Sequence, residues 1–156
     1  MVILGIDPGT ATIGFGAIET ISNKPKFLGV GVITTPKTES DSKRLETVYT
    51  EIKKLIKKFQ PEVLVLEKIY FSKNIKTAIA VAQARGVIML AGQEAKLKIL
   101  EVSPQEVKLS VAGYGAADKK QVQKMVKMLL NLKEIPKPDD AADALAAALS
   151  AINRRV

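Results

Sequence analysis

Val2-Ile3-Leu4-Gly5-Ile6-Asp7-Pro8-Gly9-Thr10 is an apolar run that ends on a carboxylate and then turns. A short apolar run closed by Pro-Gly reads as a buried strand. It delivers Asp7 to a sheet end, and Pro8-Gly9 turns the chain away so that the carboxylate stays accessible. Thr10 and Thr12 are placed to donate to a phosphate or to Asp7. Val63-Leu64-Val65-Leu66-Glu67 repeats the arrangement later in the chain. A helix separates the two runs, and a strand, helix and strand in succession imply parallel pairing. Laid parallel beside the first strand, the second run puts Glu67 and Asp7 at one sheet edge, facing one crevice. Two plainer readings stand beside this: Asp7 capping backbone donors in a β-turn, and Glu67 paired with Lys68 at a strand end.

Outward from these runs the pattern is regular. Val2–Asp7, Thr12–Ile21 and Phe27–Thr35 are rich in β-branched and aromatic residues and are separated by turn residues, as in consecutive antiparallel hairpins. Leu45, Val48, Tyr49, Ile52, Leu55, Ile56 and Phe59 then recur at helical spacing, with Lys53, Lys54, Lys57 and Lys58 as a solvated face. After the strand Val63–Glu67 comes a long helix over Asn74–Gly92, studded with small residues that allow close packing. Lys98–Val102 reads as a fifth strand, and Pro104–Ala112, Lys119–Leu132 and Asp140–Asn153 as helices. The expected fold is α/β: a single domain over 1–156, with a five-stranded mixed sheet (three antiparallel strands, then parallel strands) and helices on both faces.

The composition narrows the chemistry. The chain has no histidine and no cysteine, so catalysis must run on carboxylates, lysines, hydroxyls or a bound metal. Lys+Arg 24 against Asp+Glu 16 gives a net charge of +8, which favours a polyanionic partner. Missing cysteine fits a reducing, cytoplasmic setting. With no 18-residue apolar stretch and no basic leader, neither a membrane span nor a secretory signal is expected.

Asp140 and Asp143 add a third acidic element. Three apart on a helix they share a face, and Ala141, Ala142 and Ala144 let that face approach the sheet. Asp139 suits the helix start instead, where acids meet the positive end of the dipole. Acids at buried strand ends are costly to desolvate without a cation, and a hard divalent ion is the obvious candidate. Lys108 and Lys119 flank the Gly113-Tyr114-Gly115 loop, where either can neutralise a phosphate. Tyr70 and Phe71 follow Glu67 closely, and one of them is a candidate for stacking on a base.

Taken in order, these runs resemble the RuvC family of Holliday junction resolvases. They are Gly5-Ile6-Asp7-Pro8-Gly9-Thr10, Glu67 with its following aromatic, Lys73-Asn74 leading to Gln83-Ala84-Arg85-Gly86, Gly113-Tyr114-Gly115 with Asp118-Lys119, Gln121-Val122-Gln123, and Asp140-Ala141-Ala142-Asp143-Ala144-Leu145. The resemblance implies an RNase H-like fold, a homodimer, and magnesium-dependent nicking of four-way DNA junctions in recombination and repair, with a branch-migration motor as a further partner. It places the acids at Asp7, Glu67, Asp140 and Asp143, the basic active-site residues at Lys108 and Lys119, and the junction-contacting aromatic at Tyr70, with Phe71 beside it. Lys73 and Arg85 join the two lysines as candidate DNA contacts. Two Mg2+ ions per site, with Mn2+ able to substitute, suit an all-carboxylate ligand set. The small-residue helix Asn74–Gly92 is the candidate dimer face, with internal packing as its alternative. Three rivals remain: an actin-like nucleotide-binding protein, whose first phosphate loop Gly5–Thr10 also resembles; another RNase H-like nuclease, cutting RNA–DNA hybrids or flaps; and a non-catalytic DNA-binding subunit.

Overall fold

The computed structural model describes residues 1–9, 11–68 and 75–152. Strands β1 (Val2–Asp7), β2 (Thr12–Ile21) and β3 (Lys24–Thr34) are antiparallel neighbours. Ser22 and Asn23, at φ 50° and 62°, close a two-residue hairpin between β2 and β3, the turn whose twist matches that of its strands. Helix α1 (Asp41–Phe59) leads to β4 (Val63–Glu67), α2 (Ile75–Glu94) to β5 (Lys98–Val102), and α3 (Pro104–Ala112), α4 (Lys119–Leu129) and α5 (Asp139–Ser150) follow. The sheet order is β3-β2-β1-β4-β5, with β4 parallel to both β1 and β5. This is the five-stranded mixed sheet expected from the sequence.

Some boundaries differ from those expected. β3 begins at Lys24 and takes in Pro25, which pairs with Thr20; β3 is an edge strand, where a residue without an N–H is tolerated. α1 starts at Asp41, where the Ser40 hydroxyl caps the Lys43 N–H, ahead of the apolar repeat from Leu45, because its polar first turn carries no apolar period. α4 ends at Leu129, three residues short of the expected Leu132. α3 runs as expected: Ser103 and Glu106 form a capping box, and Gly113, at φ 87°, ends the helix.

Alternation along the strands sorts the core into two layers. Leu4, Ile6, Leu64 and Leu66 pack with Val48 and Ile52 of α1 and Ala84, Ile88 and Ala91 of α2. Ile3, Val63, Val65 and Val102 face the other way, against α3, α4 and α5. Asp7 and Glu67 continue this second set, so strand parity alone turns both carboxylates toward α5.

α5 comes unusually close to the sheet. Gly5 pairs with Gly16 across β1 and β2, and Asp7 with Gly14. A Cβ on Gly5 would stand 2.2 Å from the Ala144 carbonyl oxygen, and one on Gly14 1.9 Å from that of Asp140. The helix answers with alanine: Ala141, Ala142, Ala144, Ala146, Ala147 and Ala148 are all buried. Bare backbone on one side and methyl groups on the other let the start of α5 lie beside the end of β1.

Candidate active site

Three elements meet at the end of β1. β1 supplies Asp7, β4 supplies Glu67 one register step beyond the Ile6–Leu66 pair, and the first two turns of α5 supply Asp140 and Asp143. All four are half-buried. Glu67, Asp143, Lys108 and Lys119 line one cleft whose inner wall is Pro104, Val107, Val122 and Ala146. Its cations come from the middle of α3 (Lys108) and the first residue of α4 (Lys119). Asp118 and Gln121 form a capping box that fixes the start of α4, and Lys119 with it.

The electrostatics mark a cluster short of positive charge. Burial pushes the Asp7 carboxyl up to about 7, helped by the charges of Asp143, Glu67 and Asp140 and opposed by Lys119. Burial, then Asp143, also raises Glu67, against Lys119 and Lys108. Asp143 is raised by burial, against the hydrogen bond and charge of Lys119. Like charges gathered in a partly desolvated site disfavour ionisation unless a cation joins them. Lys119 supplies part of that charge. Its Nζ donates to Asp143 Oδ2 at 2.9 Å and lies 3.2 Å from Asp139 Oδ2. Burial works against the Lys119 charge, but these two acids outweigh it and raise its pKa.

The donor set is all oxygen, which suits a hard divalent ion. Among the described residues, no group of three or more acids is already drawn together as a ligand cage. Glu67 and Asp143 share the cleft, Asp7 senses both of them and Asp140, and Lys119 is held on Asp143.

Residues 3–151 match the family described as crossover junction endodeoxyribonuclease RuvC. The chain belongs to the RuvC family. The RuvC of Halothermothrix orenii is 54% identical over 149 residues, covering 96% of this chain and 90% of the relative. That of Thermosipho melanesiensis is 53% identical, covering 95% and 94%. A solved structure of Thermus thermophilus RuvC in complex with Holliday junction substrate superposes with a TM-score of 0.92 at 34% identity, covering 96% of this chain and 92% of that one. The fold is therefore RNase H-like in the RuvC manner, as the sequence motifs imply.

The RuvC-like motifs land unevenly. Asp7, Glu67, Asp140, Asp143, Lys108 and Lys119 come together at one end of the sheet. Tyr70, Phe71 and Lys73 lie outside the described residues, as do Thr10, Asn74 and Asn153. Arg85 is turned inward, bonded to Glu101 and to the Glu67 carbonyl. Asp139 makes no side-chain cap at the start of α5, which Pro138 precedes. It accepts instead from Gln123 Nε2 at 3.1 Å and pairs with Lys119. Gln123 and Asp139 thus steady the cleft lysine, a role that spacing does not reveal because they sit sixteen residues apart on different helices. No helix among the described residues is long and apolar enough to cross a membrane.

Proposed function

We propose that this chain is a structure-selective endodeoxyribonuclease that resolves Holliday junctions by paired nicks, hydrolysing phosphodiester bonds at the β1–β4–α5 cleft. The observation that carries this reading is the convergence of Asp7, Glu67, Asp140 and Asp143 with Lys108 and Lys119 at one sheet end. Family membership and the junction-bound relative support the choice of substrate.

Two Mg2+ ions, for which Mn2+ could stand in, would supply an activated water and stabilise the leaving oxygen. Asp7 would bridge them, Glu67 and Asp143 would each anchor one, and Asp140 would complete the ligand set or position water. Lys119, which neutralises Asp143 in this structure, would contact the scissile phosphate or the charge developing on it. Lys108, on the same cleft wall, holds a phosphate oxygen and balances charge developing on it. The +8 net charge draws the polyanion in, so junction affinity falls steeply with salt.

Paired nicks call for two sites related by a two-fold axis. α2 offers a face for a second copy. Ile79 and Leu90 are each 55% exposed, and Ala82, Gln83 and Gly86 lie exposed between them at helical spacing. A Cβ on Gly86 would meet nothing within 4 Å, so internal packing does not require that glycine.

The test compares a mobile four-way junction, a linear duplex and an RNA–DNA hybrid in magnesium. Symmetric nicks confined to the junction, abolished by EDTA while binding persists, are expected. Preferential cutting of the hybrid would replace this reading with another RNase H-like activity. Binding without any cutting, unmoved by metal, would make the chain a non-catalytic DNA-binding subunit.

A further inference from the structure

Arg85 faces the back of the site. Leu66 and Glu101 are register partners on β4 and β5, so Glu101 shares the face of Leu66, the one covered by α1 and α2. The Glu67 carboxylate points to the opposite face. From α2, the Arg85 guanidinium bonds to Glu101 through Nη2, and its Nε lies 3.4 Å from the Glu67 carbonyl oxygen. The Arg85 side chain is only 16% exposed, against 42% for Glu101. One step further, the Lys68 N–H donates to the Val102 carbonyl at 2.8 Å, carrying the β4–β5 ladder past Glu67. The planar fork of arginine suits two acceptors held in fixed directions.

We propose that Arg85 is a positioning residue, clamping the end of β4 from behind the sheet so that Glu67 presents its carboxylate to the acid cluster in front. Its guanidinium is spent on Glu67 and Glu101 and is not a phosphate contact. The inference rests on the nuclease reading above, in which Glu67 is a metal ligand. Small displacements at such a ligand are costly, since about 1 Å of misplacement can lower a rate about 100-fold.

The test uses Arg85→Gln, Arg85→Lys and Glu101→Gln in the full chain, with a four-way junction as substrate. Arg85→Gln lowers kcat about 100-fold at saturating magnesium, while KM and junction affinity in calcium stay within about twofold. Arg85→Lys restores only part of kcat, because a point charge cannot serve both acceptors. Glu101→Gln also lowers kcat without weakening binding, and it stands in if Arg85→Gln does not fold. The inference is overturned if Arg85→Gln leaves kcat unchanged but weakens binding and reduces the salt slope by about one, the mark of a phosphate contact. It is equally overturned if Glu101→Gln tightens binding with kcat intact, as a freed DNA-binding arginine would. Hydrogen exchange separates this inference from the functional reading. In metal-free protein without DNA, Arg85→Gln speeds exchange of the Lys68 amide. Unchanged exchange removes the clamp whatever the wild type cuts; faster exchange in a protein that leaves junctions whole retains the clamp and removes the functional reading.

Discussion

Asp7→Asn should make the metal-free protein more stable while abolishing its activity. Burial and the charges of Asp143, Glu67 and Asp140 move the Asp7 carboxyl from 3.8 to about 7. A tenfold change in proton affinity is worth about 1.36 kcal/mol, so keeping this group ionised costs the fold at most about 4 kcal/mol at alkaline pH. The acids titrate as a set, so a gain of about 2–4 kcal/mol is expected, or about 5–15 °C in Tm for a chain of this size. The sign follows from linkage. The folded carboxyl holds its proton more tightly than the unfolded one, so the wild type loses stability as pH rises from 3.8 through about 7. Asparagine never ionises, so the gap between variant and wild type opens across that window, with about 2–3 kcal/mol of it developing between about pH 5 and pH 8. Thermal melts in EDTA at those two pH values measure it, and junction cleavage in magnesium measures the other half. A variant no more stable than wild type at about pH 8, or a gap indifferent to pH, would refute the electrostatic reasoning. Substantial retained cutting would refute the metal-ligand role.

Three further outcomes are expected. Gly14→Ala, whose new Cβ would lie 1.9 Å from the Asp140 carbonyl oxygen, forces α5 off the sheet; urea denaturation should show a loss of at least about 1–3 kcal/mol, with cleavage falling alongside. Lys119→Met removes the cation that holds Asp143 and lowers Asp7 and Glu67. It should reduce kcat about 100- to 1,000-fold and move the alkaline-going limb of the stability curve to higher pH, readable by melts across a pH series. Leu90→Glu places a charge on the exposed face of α2 and should shift sedimentation toward monomer; an unchanged dimer would locate the contact elsewhere.

Much of this arrangement is legible in the residues. Apolar runs ending on Asp7 and Glu67 mark strand ends, and an intervening helix makes them parallel, so strand parity sends both acids to one face. The Asp140–Asp143 spacing marks a shared helix face in the same direct way. What stays illegible depends on distance along the chain. Gly5, Gly14 and Gly16 read locally as weak strand formers, and their purpose shows only when α5, more than a hundred residues later, is seen against them. Arg85 reads as a candidate DNA contact, and its pairing with Glu101 shows only once β5 is seen beside β4. Asp139 has the look of a cap because local rules reward acids there, yet a lysine on another helix claims it. Helix limits slip in opposite ways: at Asp41 a polar first turn carries no period to read, whereas past Leu129 the apolar residues continue although the chain leaves the helix and Asn131 turns to φ 50°.

The contact between α5 and the glycine-lined strands has a bearing on ion selectivity. On the α1–α2 side, bulky side chains act as spacers, and exchanging one for another resets the gap between layers. On the α5 side, at Gly5 and Gly14, the helix main chain rests on the strand main chain, and only small side chains there could be exchanged. The span from the Asp7 strand to the Asp143 helix is thus set by the backbone, and if these acids hold a cation as proposed, an ion of different radius would have to be met by their carboxylate rotamers.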